Sequence, residues 1–211
     1  MANAAPPPAD YPTSQVMAVA KNPGLGNIPI RRGFWDSDAQ RGFGMDKAWN
    51  YHKIKSLTAQ RNVMQSTNRV LQGNGNWQLR AYAYKKECQR GGTNCVVVDQ
   101  RQVLGIYNPR SYTTYHGWPA GKPLGLQTMY CNQGGETECP SWVAISLNNI
   151  RGATNLQSRG PNPRLLTPEP GLPIDMSTDQ RHFLSEEGTQ LLLEQVATGE
   201  VVLEASFEPI D

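Results

Sequence analysis

The sequence lacks the features that mark several large classes of protein. No apolar run reaches the roughly 18 residues that a membrane-spanning helix requires. The first fifteen residues, MANAAPPPADYPTSQ, carry neither a basic region nor an apolar stretch, so we expect a disordered leader there rather than a standard signal peptide. The phosphate-binding GxxxxGKS/T, the metalloprotease HExxH, the hydrolase GxSxG and the dinucleotide-binding GxGxxG are also missing. The sequence therefore offers no motif of high specificity.

Apolar residues are scarce as well. Hydrophobic residues make up 38% of the 211, whereas the chain holds 20 glycines and 16 prolines. This composition indicates a loop-rich domain that favours β-structure. Within it, apolar residues at helical spacing predict a helix over residues 56–71 with Ser56 as its N-cap. A second helix is predicted from Ser177 or Thr178 to about Ala197.

The apolar period changes to two at residues 77–84, which predicts a strand with one buried face. Further strands are predicted at CVVVD and QVLGIY, in a hairpin formed by Tyr130 and residues 141–147, and at residues 200–207, with a loop over 148–175. We therefore predict an α+β fold in which N-terminal helices pack on an antiparallel β-meander, followed by a C-terminal helix and strand. Residues 1–30 are a flexible leader and 31–211 one domain, of which 31–147 form the catalytic core and 148–211 an extension.

The four cysteines form two local pairs, each enclosing a Gly-Gly sequence: Cys88 with Cys95, and Cys131 with Cys139. A hairpin turning at each Gly-Gly brings the flanking cysteines close to disulfide reach. The rival is one zinc ion held by four thiolates, but zinc sites favour about two to four residues between paired cysteines. Six and seven residues separate these pairs, so the spacing favours disulfides. Two disulfides predict a secreted or periplasmic protein.

Charge is unevenly distributed although the net charge is only +2. Most cations lie in residues 1–122, and acidic residues gather after Glu136. A basic body with an acidic tail fits an anionic partner for the body. The alternative is an ordinary solvated surface with uneven charge.

Histidine is rare, with three in the chain, and the first lies in the densest group of aromatic and charged residues, GFWDSDAQRGFGMDKAWNYHK at 33–53. Metal-independent cleavage of RNA needs a base for the 2′-hydroxyl, an acid for the 5′-oxygen and cations for the phosphorane charge. His52 suits the first two roles, and Lys47, Lys53 and Arg61 suit the last. The alternative is a surface histidine beside ordinary lysines.

A second histidine lies in SYTTYHGWP at 111–119. His116, Tyr115 and Trp118 are suited to contact or stack on a base, and the hydroxyls of Ser111, Thr113 or Thr114 to bind phosphate. The alternative is a Gly-Trp-Pro turn packed on a sheet. The third histidine, His182, lies in the predicted C-terminal helix, and we expect it to be structural or exposed.

The pieces GFGMDKAWNYHKI, NVMQSTNRVLQGN, WQLRAYAYKK and CVVVDQRQVLGIYNP carry a resemblance to a known family. In this order, within residues 33–115, they resemble the ribonuclease toxin domains of bacterial polymorphic and contact-dependent toxins, which have the barnase/EndoU/colicin/RelE-like fold. Where that family commonly has Lys-His-Gly, this chain has Tyr51, His52 and Lys53. The resemblance implies His52 as general base, Lys47 or Lys53 as phosphate anchor, and Thr113 or Thr114 as the phosphate-positioning hydroxyl.

The resemblance further implies a secreted toxin that cleaves RNA through a 2′,3′-cyclic phosphate, with no metal or cofactor and with a cognate immunity protein as partner. A different class of function stays open. The same features suit a disulfide-stabilised, non-enzymatic secreted binding protein that uses its Tyr- and Trp-rich loops against a protein or a glycan.

Overall fold

The computed structural model describes residues 9–89, 92–135, 137–150 and 186–209. Strands dominate these residues, with eleven strands and four short helices, and the first four elements are all strands. The predicted α+β fold with N-terminal helices is therefore wrong. The first helix begins only at Gly44, and every pairing between strands is antiparallel. The protein is mainly an antiparallel β structure.

The elements are numbered in chain order. The strands are β1 Val16–Asn22, β2 Gly26–Arg31, β3 Phe34–Asp36, β4 Arg41–Phe43, β5 Arg69–Leu71, β6 Trp77–Gln89, β7 Thr93–Asn108, β8 Thr114–Tyr115, β9 Trp118–Pro119, β10 Gly125–Cys131 and β11 Val201–Ser206. The helices are α1 Gly44–Asp46, continued by a π-helical turn Lys47–Tyr51, then α2 Leu57–Val63, α3 Ser141–Asn148 and α4 Glu186–Ala197.

The central sheet has the order β10-β7-β6-β11, and β5 pairs with the start of β6. On β6 the alternate residues Leu79, Ala81 and Ala83 are buried in the core, as the period of two predicts. Strand β7 is one continuous strand across CVVVD and QVLGIY. The strands that the sequence pattern predicts in the β6–β7 hairpin and at β11 are therefore confirmed.

The segment expected to be a flexible leader packs on the rest of the chain: Thr13 is fully buried, and strands β1 and β2 follow from Val16 onward. Strands β1 and β2 form a hairpin through a turn in which Gly26 has a φ of 74°, a left-handed conformation that glycine adopts at no steric cost. Ile28 and Ile30 of β2 are fully buried in the main core. Because these two side chains lie two residues apart, they share one face of the strand, and that face is buried in the core.

The predicted helix over residues 56–71 is cut short. Its N-cap is confirmed, because the Ser56 hydroxyl accepts a hydrogen bond from the Ala59 amide at 3.1 Å. The helix ends at Val63, however, and the carbonyls of Met64 and Ser66 accept hydrogen bonds from the Asn22 side chain. The rest of the segment pairs with β6 as β5. Tertiary pairing outweighs local helical spacing here.

The predicted hairpin across the second cysteine pair is also wrong. Residues 141–148 form α3, whose Val143 and Leu147 are fully buried and which packs on α2. The disulfide Cys131–Cys139 therefore joins the end of β10 to the segment that leads into α3. Continuous apolar runs do not distinguish a buried helix from a buried strand.

Part of the predicted C-terminal region lies outside the described residues. This applies to residues 151–185, which hold most of the predicted loop, the predicted start of the last helix and His182. The described part of that helix is α4, and β11 pairs with β6 in the central sheet.

Candidate functional site

His52 directly follows the π-helical turn that extends α1. Such turns are rare and often occur at functional sites. The side chain is buried, with 4% of its surface exposed, and its Nδ1 lies 3.0 Å from the carbonyl oxygen of Thr137. A carbonyl oxygen only accepts hydrogen bonds, so this contact assigns the ring proton to Nδ1 and the lone pair to Nε2.

The environment of His52 keeps the ring uncharged at neutral pH. Burial lowers its pKa to about 4, with a smaller opposing effect from the hydrogen bond to Thr137 and a further lowering by the charge of Lys47. An uncharged imidazole is able to take a proton. It has no proton to give from Nε2, which restricts His52 to the role of a base.

Lys47 links His52 to the aromatic residues of the same segment. Its Nζ lies 5.6 Å from the centre of the Trp35 ring, and Trp35 stacks on Tyr51 at 4.2 Å between ring centres. Burial lowers the pKa of Lys47. The ammonium group of Lys47 in turn lowers the pKa of two histidines, His52 and His116. The positive charge of Lys47 thus acts on both histidines among the described residues.

The second histidine is brought to this place by the small β8–β9 hairpin. Trp118 of this hairpin contacts Phe34 with 5.1 Å between ring centres, and Tyr115 contacts Phe43 at 5.6 Å. Phe34 and Phe43 belong to β3 and β4, which directly precede α1. The structure therefore brings together the two segments, 33–53 and 111–119, that the sequence singled out separately.

His116 occupies the turn of the β8–β9 hairpin in an unfavourable backbone conformation. Its φ is 55°, and the following Gly117 has a φ of 89°. Positive φ at both central residues is the pattern of a type I′ turn, where Asn-Gly is the favoured sequence. A histidine there costs about 1 kcal/mol or more. The pKa of His116 is lowered by burial first, and then by the charges of Lys47 and Arg41.

The remaining predicted site residues are distributed over several elements. Thr113 and Thr114 are exposed; Thr114 begins β8 and Thr113 directly precedes it, and the Thr113 carbonyl accepts a hydrogen bond from the Ala120 amide. Lys53 is buried, with a φ of 63°. Arg61 lies on α2, and its Nε is buried without a hydrogen-bond partner among the described residues. The structure packs the hairpin of Tyr115 and Trp118 on β3 and β4, which lead into the segment of Lys47 and His52, and Arg61 lies on a different element.

One group near the site was not predicted from the sequence. The hydroxyl of Tyr11 donates to the carboxylate of Asp46 at 2.6 Å, and the guanidinium of Arg32 lies 5.4 Å from the centre of the Tyr11 ring. Burial raises the pKa of Asp46 to about 6, against smaller opposing effects of Tyr11 and Arg32. Asp46 stands beside Lys47 in the singled-out segment, but nothing local to Tyr11 indicates its contact across 35 residues.

All four cysteines are bonded as the spacing predicted, Cys88 with Cys95 and Cys131 with Cys139. This pairing rules out a zinc ion held by their four thiolates. Across residues 9–89, 92–135, 137–150 and 186–209, no three side chains of His, Cys, Asp or Glu converge as a metal site would require. In the same part of the chain no helix is long and apolar enough to cross a membrane.

The chain matches no family model, no curated protein and no solved structure. The resemblance to ribonuclease toxins therefore depends on the residues of 33–115 alone.

Proposed function

We propose that this protein is a metal-independent endoribonuclease that acts as a secreted bacterial toxin. The observation that supports the proposal is the packing of the β8–β9 hairpin, which carries His116, on β3 and β4, which lead into the segment of Lys47 and His52. A base, an acid and a cation are what transfer of the phosphoryl group to the 2′-hydroxyl needs.

In the proposed reaction, Nε2 of His52 takes the proton of the 2′-hydroxyl as its oxygen forms a bond to the adjacent phosphorus. The ammonium of Lys47 stabilises the charge on the non-bridging oxygens, and the hydroxyls of Thr113 and Thr114 hold the same phosphate. His116 in its charged form gives a proton to the 5′-oxygen as the bond from phosphorus to that oxygen breaks. The products are a 2′,3′-cyclic phosphate and a 5′-hydroxyl.

The protonation states of the free protein fit the base better than the acid. His52 is uncharged at neutral pH, as a base must be, but the positive charges of Lys47 and Arg41 also lower the pKa of His116. A phosphodiester bound beside Lys47 brings a negative charge, which raises the pKa of both histidines. Substrate binding thus supplies the condition under which His116 holds its proton.

The test is digestion of RNA in EDTA by the wild type and by His52→Ala, His116→Ala and Lys47→Ala. We expect each substitution to lower kcat by about 10²–10⁴, because each removes a proton carrier or the phosphate charge. Lys21→Ala, which removes an exposed lysine of β1, is the matched control and should leave kcat unchanged. A cyclic phosphate at the 3′ end of the product identifies the reaction.

Two results would count against the proposal. Undiminished activity of His52→Ala would show that His52 takes no part in the mechanism. Inactivity of the wild type on every RNA tested would refute the ribonuclease function.

One observation favours the alternative, a secreted binding protein without enzymatic activity. Val96, Val97 and Val98 of β7 are exposed at 61%, 49% and 45%, next to the Cys88–Cys95 disulfide. Exposed apolar residues on a disulfide-bonded hairpin suit contact with another protein. Expression in the bacterial cytosol separates the two functions. A toxin should stop growth unless an immunity protein is present, whereas a binding protein should not.

A further inference from the structure

The loop closed by the Cys131–Cys139 disulfide contacts His52 twice. The carbonyl oxygen of Thr137 accepts from Nδ1 of the His52 ring, and the amide of Cys139 donates to the His52 carbonyl, each at 3.0 Å. Both the ring and the backbone of His52 are therefore held by residues inside one disulfide loop.

At its start the loop is also attached to β7, where the backbone amide and the side-chain amide of Asn132 donate to the carbonyl and the side-chain oxygen of Gln102. Asn132–Gly135 are exposed, and both Gly134 and Gly135 have open space around the position of an added Cβ. The two cysteines, by contrast, are almost fully buried, at 1% and 3% exposure. The disulfide ties Cys139, two residues after Thr137, to the end of β10, which is part of the central sheet.

We propose that the Cys131–Cys139 disulfide is a positioning element for His52, because it holds the Thr137 carbonyl against Nδ1 and so fixes the ring with its lone pair on Nε2. The partner of one ring nitrogen sets which nitrogen carries the proton. A histidine that loses this partner exchanges between its two neutral forms, and only one of them has a base at Nε2. The consequence for RNA cleavage rests on the proposed ribonuclease function, whereas the state of the ring does not.

The chain contains a matched control. The other disulfide, Cys88–Cys95, lies at the end of the β6–β7 hairpin, and the Cys95 side chain is exposed. The Sγ of Cys95 contacts the carbonyl of Gly92 in the same hairpin. Removal of the Cys88–Cys95 disulfide tests the general effect of losing a disulfide without loosening the loop at His52.

The experiment measures the ring ¹⁵N shifts of His52 by NMR at neutral pH. We expect the wild type and Cys88→Ala/Cys95→Ala to show a protonated Nδ1 and an unprotonated Nε2. In Cys131→Ala/Cys139→Ala the two shifts should move toward each other, as for a ring that exchanges its proton between both nitrogens. Cys131→Val/Cys139→Ala fills more of the buried volume and serves if the first pair does not fold.

The proposal is overturned if a folded 131/139 variant keeps the wild-type ring shifts. It is also overturned if the ring shifts of the wild type show that Nε2 of His52 carries the proton. A cleavage assay on the same proteins adds the functional consequence, with kcat lowered about tenfold or more and KM nearly unchanged in the 131/139 variant only. Inactivity of all proteins counts against the ribonuclease function and leaves the NMR result to decide the positioning.

Discussion

Two buried groups close in sequence, Asp46 and His52, are expected to shape the pH dependence of stability in opposite directions. Burial raises the pKa of Asp46 from 3.8 to about 6 and lowers that of His52 from 6.5 to about 4. A group whose pKa is raised on folding binds its proton more tightly in the native state. The stability that Asp46 contributes is therefore present below about pH 4 and is lost as the pH rises through about 6.

For His52 the sign is reversed, because its pKa falls on folding. Its contribution is present above about pH 6.5 and is lost as the pH falls through about 4. Since one pKa unit corresponds to about 1.4 kcal/mol, each group changes the free energy of unfolding by about 3 kcal/mol over this window. The two changes are of similar size and opposite sign, so they nearly cancel in the wild type.

Single substitutions should reveal the two pH dependences of the free energy of unfolding that cancel in the wild type. In Asp46→Asn, which keeps an oxygen that can accept from Tyr11, the free energy of unfolding should fall by about 3 kcal/mol relative to the wild-type profile as the pH drops from about 7 to about 4. In His52→Asn, whose amide nitrogen can still donate to Thr137, it should rise by about 3 kcal/mol over the same range.

The assay is urea unfolding of the three proteins across this pH range. A change of about 3 kcal/mol moves the urea midpoint by about 1 M for a chain of this size. Other titrating groups contribute equally to all three profiles, so the differences between profiles isolate Asp46 and His52. Parallel profiles for the wild type and both variants would refute the assigned pKa shifts, and slopes of exchanged sign would refute the role given to burial.

Two further predictions concern the backbone. His116→Asn should raise the free energy of unfolding by up to about 1 kcal/mol in thermal or urea unfolding while RNA cleavage falls, because asparagine tolerates the positive φ better and lacks the imidazole. A loss of stability would contradict the assigned strain. Gly33→Ala should lower the free energy of unfolding by about 2 kcal/mol or more, since its φ is 67° and the new Cβ would lie 1.9 Å from the Phe43 carbonyl oxygen. The control is Gly73→Ala, which meets no atom within 4 Å and should change stability little.

Local patterns predicted those features whose contacts lie close in sequence. The N-cap at Ser56 needs only the next turn of helix, and the β6–β7 hairpin with its Cys88–Cys95 disulfide needs only a short turn. The predictions failed where a distant partner decides the conformation. Residues 69–71 are a strand because β6 lies beside them, and residues 141–148 are a helix packed on α2.

The candidate site shows the same division. The residue types alone marked residues 33–53 and 111–119 as rich in histidine, cations and aromatic rings, because a proton carrier and a phosphate charge are properties of single side chains. Only the tertiary structure packed the β8–β9 hairpin, which carries His116, on β3 and β4 and set the Thr137 carbonyl against the His52 ring. These relations join residues far apart in the chain, and burial, which sets the direction of the pKa shifts, exists only once the chain is folded.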